Sequence, residues 1–234
     1  MKTVFMGDSL TEGLPGVGFW RFLTDKSNLI NKGLGGDTLI GLTKRTKKLL
    51  KKDTKGNIEK YIIEIGTNDV LLPVLKNHSW CWRTVVKIKA KVLGCVPCEN
   101  IEDFRDKYEK LLVLLLKNQK QIGIIGLPFI ETTTVEINPT MGKYDDAIKE
   151  LAQKYHIDYV DFRELEKALI GKNKATYFFG KTNFFNMLDV ISTSILPFSM
   201  FISKSRQLNA TTDSVHLNEK AAKKLACLIE EKLL

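Results

Sequence analysis

The chain has 234 residues, 44% of them hydrophobic and 27% charged, with 36 Lys and Arg against 27 Asp and Glu. A chain of this length buries a sizeable core without staples, and four cysteines are too few for a disulfide scaffold. Disordered and collagen-like classes are excluded, and the net charge of +9 leaves nucleic acid, an anionic membrane surface, an acidic substrate or plain solubility as its explanation.

Thr3 to Met6 reads as a short first strand that ends at Gly7. The apolar run after Lys2 is too short for a secretory h-region and Asp8 interrupts it, so a cytoplasmic location with reduced thiols is expected. Asn28 to Leu34 is a weaker second strand that runs into Gly35-Gly36, and Thr38 to Lys52 has helical spacing in Leu39, Leu42, Leu49 and Leu50. Tyr61 to Ile65 is the third strand, ending at Gly66. Ile101 to Lys120 is a long helix with Glu102 and Asp103 in its first turn, where the dipole favours acid. Gln121 to Leu127 is the fourth strand, Lys143 to His156 a helix, and Ile157 to Phe162 the fifth strand. Asn218 to Leu234 closes with a helix whose apolar stripe is Ala222, Leu225, Ala226 and Ile229, and Cys227 on it reads as core.

Strands alternating with helices imply an α/β fold with a parallel sheet covered on both faces, and a site outside the carboxyl ends of the strands. One domain is expected, carrying two insertions, Pro73 to Asn100 and Gly171 to Thr212.

Four motifs fall at one end of that sheet. They are Gly7-Asp8-Ser9-Leu10, Gly33-Leu34-Gly35-Gly36-Asp37-Thr38, Gly66-Thr67-Asn68-Asp69 and Asp213-Ser214-Val215-His216. A hydrolytic serine needs a base, a group to orient the base, and donors for the developing oxyanion. Ser9 follows a strand. His216 has Asp213 three residues before it, close enough to fix its tautomer. The Ser9 N–H, the Gly36 N–H and the Asn68 amide can converge as donors, and glycine at 36 lets a carbonyl approach the backbone. Asp8, Asp37 and Asp69 read as turn-holding residues.

Together the motifs resemble the conserved blocks of the SGNH hydrolase superfamily, the GDSL esterases and lipases, from residue 3 to about 231 with both insertions outside the match. Ser9 matches the nucleophile, Gly36 and Asn68 the oxyanion-hole residues, and Asp213 and His216 the Asp-x-x-His pair. The resemblance implies a three-layer α/β/α sandwich, flavodoxin-like, with five parallel strands in order 2-1-3-4-5. It also implies ester hydrolysis with no cofactor and no metal. The expected substrate is a small-molecule or lipid-like ester. The alternatives are a short-chain carbohydrate O-acetylesterase and a catalytically silent binding protein on the same fold.

Other signals are weaker. No Gly-x-Ser-x-Gly occurs, Gly33 to Thr38 lacks the third glycine of a dinucleotide fingerprint, and Ala175 to Thr182 is too bulky inside to cradle phosphates. His78, Cys81, Cys95 and Cys98 have spacing compatible with structural zinc, against which stands a reading as core cysteines and a surface His. His156 reads as a surface cap. Phe184 to Ile202 is apolar but broken by Asn186, Asp189, Ser192, Ser194 and Pro197, so it reads as a flap over an acyl pocket, a lipid contact or a helix on the sheet edge rather than a span. Lys44, Arg45, Lys47, Lys48, Lys51, Lys52 and Lys55 form a basic run with no nucleic-acid motif. It reads as a solvated face, with peripheral contact to an anionic membrane as its functional alternative.

Overall fold

A computed structural model describes residues 2–78, 80–179 and 187–234, without the side chains of residues 78, 81, 187–190 and 197. The chain runs β1 (Lys2–Gly7), α1 (Ser9–Glu12), a 3-10 turn (Phe19–Phe22), β2 (Leu29–Gly33), α2 (Leu39–Lys52) and β3 (Ile58–Glu64). Helices α3 (Thr67–His78), α4 (Trp80–Leu93) and α5 (Ile101–Lys117) lead to β4 (Gln121–Ile125), α6 (Asn138–Lys154), β5 (Asp158–Val160) and α7 (Phe162–Ile170). Then come α8 (Met187–Ser194), α9 (Leu196–Ser205) and α10 (Glu219–Leu233).

All pairings among the five strands are parallel, in the order β2-β1-β3-β4-β5 expected from the resemblance. Their side chains alternate between two buried faces, which is why the strands read as nearly continuous apolar runs. Val4, Met6, Tyr61, Ile63 and Ile124 face a core shared with α2 to α6. Phe5, Ile62, Ile125 and Val160 face a core shared with the 3-10 turn, α7 and α10. The result is the three-layer α/β/α sandwich. Since β1 lies between β2 and β3, the chain reverses its direction of winding there, and loops leaving β1, β2 and β3 open a crevice at the carboxyl edge.

Several elements depart from the sequence reading. The first insertion is a helical hairpin, and its first helix α3 begins at Thr67 and continues through Pro73. Burial of Val70, Leu71, Leu72 and Leu75 outweighs the one backbone hydrogen bond that Pro73 removes. The sequence pattern ends a strand at Phe162, whereas the structure begins helix α7 there. Its cap is nevertheless written in the chain, where the Asp161 side chain accepts the Glu164 N–H at 3.1 Å. Cys227 is exposed, not core, since α10 turns Leu225, Ala226 and Ile229 inward and leaves position 227 outside. His156 is an exposed residue just past α6 with φ of 52°, in keeping with a surface cap. Among the described residues no helix is long and apolar enough to cross a membrane.

The basic run is solvated except at Arg45. That side chain is half-buried, and its Nε donates to Asp37 Oδ2 at 2.8 Å and its Nη2 to the Gly7 carbonyl at 3.0 Å. Arg45 therefore ties α2 to the end of β1, directly behind two of the four motifs.

Candidate active site

The turn after β1 is shaped by its glycine and its acid. A Cβ at Gly7 would stand 2.0 Å from Thr11 Oγ1 and 2.6 Å from the Glu64 carbonyl, so only glycine lets α1 fold back against β3. Asp8 caps α1, with Oδ1 accepting the Leu10 N–H at 2.9 Å, and the turn presents Ser9 at the crevice. Oδ2 of Asp8 accepts the Asn68 amide at 3.0 Å, joining the first motif to the third. Glu64 lies beside Asp8 and accepts the Thr11 hydroxyl at 2.9 Å. Burial, with the neighbouring Glu64 charge, pushes the Asp8 carboxyl well above its ordinary range, and burial pushes Glu64 up to about 7.

The second motif is held by Asp37 and Asp69, as turn-holding residues should be. Asp37 Oδ1 accepts the Thr38 N–H at 2.9 Å, and Asp69 accepts the N–H groups of Leu39 and Cys98, each at 2.9 Å. Gly36 sits at φ of 79°, a left-handed conformation that favours glycine. Next to it, the Gly35 N–H donates to Glu12 Oε2 at 2.8 Å and the Gly35 carbonyl accepts from Lys89 Nζ at 3.1 Å.

The fourth motif lies in a tight loop closed by an isolated bridge between Thr211 and Leu217 and by the Thr212 N–H to His216 carbonyl bond at 2.8 Å. Buried Glu131, beyond β4, anchors this loop. Its Oε2 accepts the N–H groups of Ala210 at 3.0 Å and Thr211 at 2.9 Å and the Thr211 hydroxyl at 2.8 Å, while its own N–H donates to the Ser214 carbonyl at 2.8 Å. Asp213 Oδ1 accepts the N–H groups of Val215 at 3.0 Å and His216 at 2.8 Å. Oδ2 lies 2.7 Å from His216 Nδ1, and His216 Nε2 lies 2.9 Å from Ser9 Oγ. Burial raises the Asp213 carboxyl, but the His216 ring and the two N–H groups outweigh it and hold the group below its usual value. A line of Ser, His and ionised Asp therefore spans motifs more than 200 residues apart in sequence, at separations of 2.9 and 2.7 Å.

Ser9, Gly36, Asn68 and His216 all line one cleft of about 290 Å³. Its remaining walls are mostly apolar: Leu71, Leu72 and Leu75 from α3, Trp82 and Val85 from α4, and Phe179. Phe179 packs edge-on against Trp82, with centroids 5.5 Å apart, and against the His216 ring at 6.3 Å. The first insertion thus supplies the long wall. From the second, Phe179 lines the cleft, and among residues 191–196 and 198–202, whose side chains are described, none does so. Residues 180–186, which include Gly180-Lys181-Thr182 and Phe184, lie outside the described residues, as do the side chains of His78 and Cys81 in the zinc quartet. Cys95 and Cys98 are buried against Asp37 and Asp69, and among the described residues no group of three or more potential metal ligands forms.

Glu12, Lys89 and Glu131 were missed in the sequence. Glu131 carried a signal, as an acid closing the apolar run of Leu127 to Ile130 just past a strand.

The family model described as GDSL-like Lipase/Acylhydrolase family matches residues 5–224. No curated protein matches the chain in sequence. Among solved structures, an acetyl xylan esterase, AlAXEase, superposes with a TM-score of 0.63 at 18% identity, over 99% of this chain and 98% of that one. A GDSL-like lipase from Bacteroides thetaiotaomicron gives 0.60 at 18% identity, over 98% and 86%. An acetylxylan esterase from Geobacillus stearothermophilus gives 0.57 at 15%, over 98% and 92%. At these identities the likeness is one of fold.

Proposed function

The chain belongs to the GDSL-like lipase/acylhydrolase family and is a carboxylic ester hydrolase, and we propose that it works through an acyl-enzyme on Ser9. The observation that carries this reading is the alignment of Ser9 Oγ, the His216 ring and the Asp213 carboxylate at the foot of an apolar cleft. Ser9 Oγ attacks the ester carbonyl while His216 Nε2 takes its proton. His216 returns that proton to the leaving alcohol oxygen, and the acyl group stays on Ser9. Water then attacks the acyl carbon, with His216 again as base, and the carboxylic acid leaves.

The oxyanion is met by the N–H groups of Ser9 and Gly36 and by Asn68. The Asn68 amide has two hydrogens; Asp8 takes one, and the other is the donor this reading gives to the oxyanion in the cleft that Asn68 lines. The Gly36 N–H shares a peptide unit with the Gly35 carbonyl, and the two point in opposite directions across a trans bond. Lys89 on that carbonyl and Glu12 on the Gly35 N–H therefore fix the Gly35–Gly36 peptide and with it the direction of the Gly36 N–H, the donor this reading gives to the oxyanion. Asn68→Ala is expected to lower kcat by about 10²–10³-fold with a much smaller change in KM, because the lost donor acts on the transition state. Steady-state kinetics on a soluble ester measures it, and near wild-type kcat contradicts the role.

The acyl side of the cleft is walled by Leu71, Leu72, Leu75, Trp82 and Phe179, which suits a chain longer than acetyl. Each buried methylene contributes about 0.8 kcal/mol, so two give roughly fifteenfold. Octanoyl esters are expected to exceed acetyl esters in kcat/KM by about tenfold or more. A second reading, a carbohydrate O-acetylesterase, draws on the acetyl xylan esterases among the similar structures. A chain-length series of p-nitrophenyl esters separates the two, since acetyl preference favours the second. Fluorophosphonate labelling with mass mapping tests the chemistry itself: an adduct on Ser9 supports it, and a folded protein that takes no label is a binding protein on this fold.

A further inference from the structure

Helix α4 presents more apolar surface to solvent than its packing requires. Trp82 and Val86 face the core, whereas Trp80, Ile88 and Val92 are 76%, 55% and 71% exposed. Val85, Ile88 and Val92 follow one another at three- and four-residue spacing, so they form one edge of the helix. That edge starts at the cleft, because Val85 lines it, as does Leu14, which is also exposed. Arg83, Lys87 and Lys91, again four residues apart, form the other outward edge, and among the described residues no carboxylate pairs with them. The basic run of α2 adjoins the far end of the same helix, where Lys44 Nζ comes within 3.6 Å of a Cβ built on Gly94.

A helix with a Trp, an apolar edge and a lysine-rich edge is built to lie in the plane of an interface between water and anionic lipid. The apolar edge buries among the acyl chains, while the lysines and arginine meet the headgroup phosphates. We propose that the outer face of α4 docks the enzyme on an anionic lipid surface and sets the mouth of the cleft against it. The lipid esters of that surface are then the substrate, an assignment of substrate class that rests on the ester-hydrolase reading of the same cleft. The partner is a bilayer surface rather than a protein patch because the cations follow the whole length of the apolar edge and continue onto α2.

The test uses the full chain and vesicles of phosphatidylcholine alone or with about one third phosphatidylglycerol, with binding read by co-sedimentation. Binding is expected to be at least about tenfold stronger with phosphatidylglycerol and to weaken as salt is raised. The double variants Ile88→Asp/Val92→Asp and Lys87→Glu/Lys91→Glu should each lose about tenfold or more of that binding while turning over a soluble acetyl ester at the wild-type rate. Equal binding to both vesicles, or variants that bind like wild type, overturns the proposal. So does a wild-type dimer that Ile88→Asp/Val92→Asp converts to monomer with no vesicle binding in either form, which makes the face a self-association surface. If wild type binds the anionic vesicles but hydrolyses no soluble ester, the docking holds and the ester-hydrolase reading falls.

Discussion

Ser9→Ala is expected to lower kcat on a soluble ester by about 10⁶-fold and to abolish fluorophosphonate labelling. The size of the loss follows from how the parts act. His216 has no use as a base without the hydroxyl 2.9 Å from its Nε2, and the oxyanion donors have no tetrahedral serine adduct to stabilise. What remains is substrate binding in the apolar cleft and weak polarisation of the carbonyl, worth roughly 10³-fold over water. KM should change little, since Leu71, Leu72, Trp82 and Phe179 still hold the acyl chain. The fold should also survive. Asp8 caps α1 through its own side chain, and Gly7 and Arg45 fix the turn from behind. Circular dichroism alongside steady-state kinetics checks both. A folded Ser9→Ala protein that keeps a tenth of wild-type kcat overturns the nucleophile assignment.

Much of this site could be read in the chain because each motif is local. A strand, a glycine that permits a close turn and a polar residue just beyond it are neighbours in sequence, and the parallel sheet delivers all such turns to one edge. Ser9, Gly36 and Asn68 stand out in this way and line one cleft, while Asp213 and His216 stand out by their spacing just before the last helix, and His216 lines the same cleft. Asp8, Asp37 and Asp69 were read as turn holders, and their bonds to Leu10, Thr38, Leu39 and Cys98 are of that kind. What could not be read depends on partners far along the chain. Lys89 meets Gly35 across 54 residues and Glu131 meets Thr211 across 80. In sequence, Lys89 is one of several lysines on an amphipathic helix, and nothing marks it until the hairpin packs over the glycine turn. Arg45 was lost in a basic run for the same reason. Phe184 to Ile202 reads from its apolar content as a flap over the acyl pocket, a lipid contact or a helix on the sheet edge, and content alone does not say which way a helix faces. The first insertion, whose tryptophans and valines suit a wall of the pocket, does line the cleft, because α3 starts at Thr67 and its apolar side continues directly from the Asn68 turn.

Asp213→Asn is expected to lower kcat by about 10⁴-fold at nearly unchanged stability. The argument turns on which atoms Asp213 uses. Its Oδ1 accepts the N–H groups of Val215 and His216, and an asparagine Oδ1 can do the same, so the loop between Thr211 and Leu217 keeps its shape. Glu131 holds that loop independently through Ala210 and Thr211. The other atom is the one that changes. In place of Oδ2, an acceptor 2.7 Å from His216 Nδ1, asparagine presents an N–H₂ donor. Two donors cannot share that line, so His216 must carry its proton on Nε2, the atom that has to accept from Ser9. The ring stays in position and in the wrong tautomer. The native carboxylate avoids this because the His216 ring and two backbone N–H groups keep it ionised despite its burial. The variant should therefore show wild-type KM and a thermal midpoint within a few degrees of wild type, with the whole deficit in kcat. If Asp213 only braced the loop, Asp213→Ala would cost stability and Asp213→Asn almost no turnover. A loss below tenfold in the asparagine variant would assign Asp213 to that bracing role and leave the orientation of His216 to other contacts.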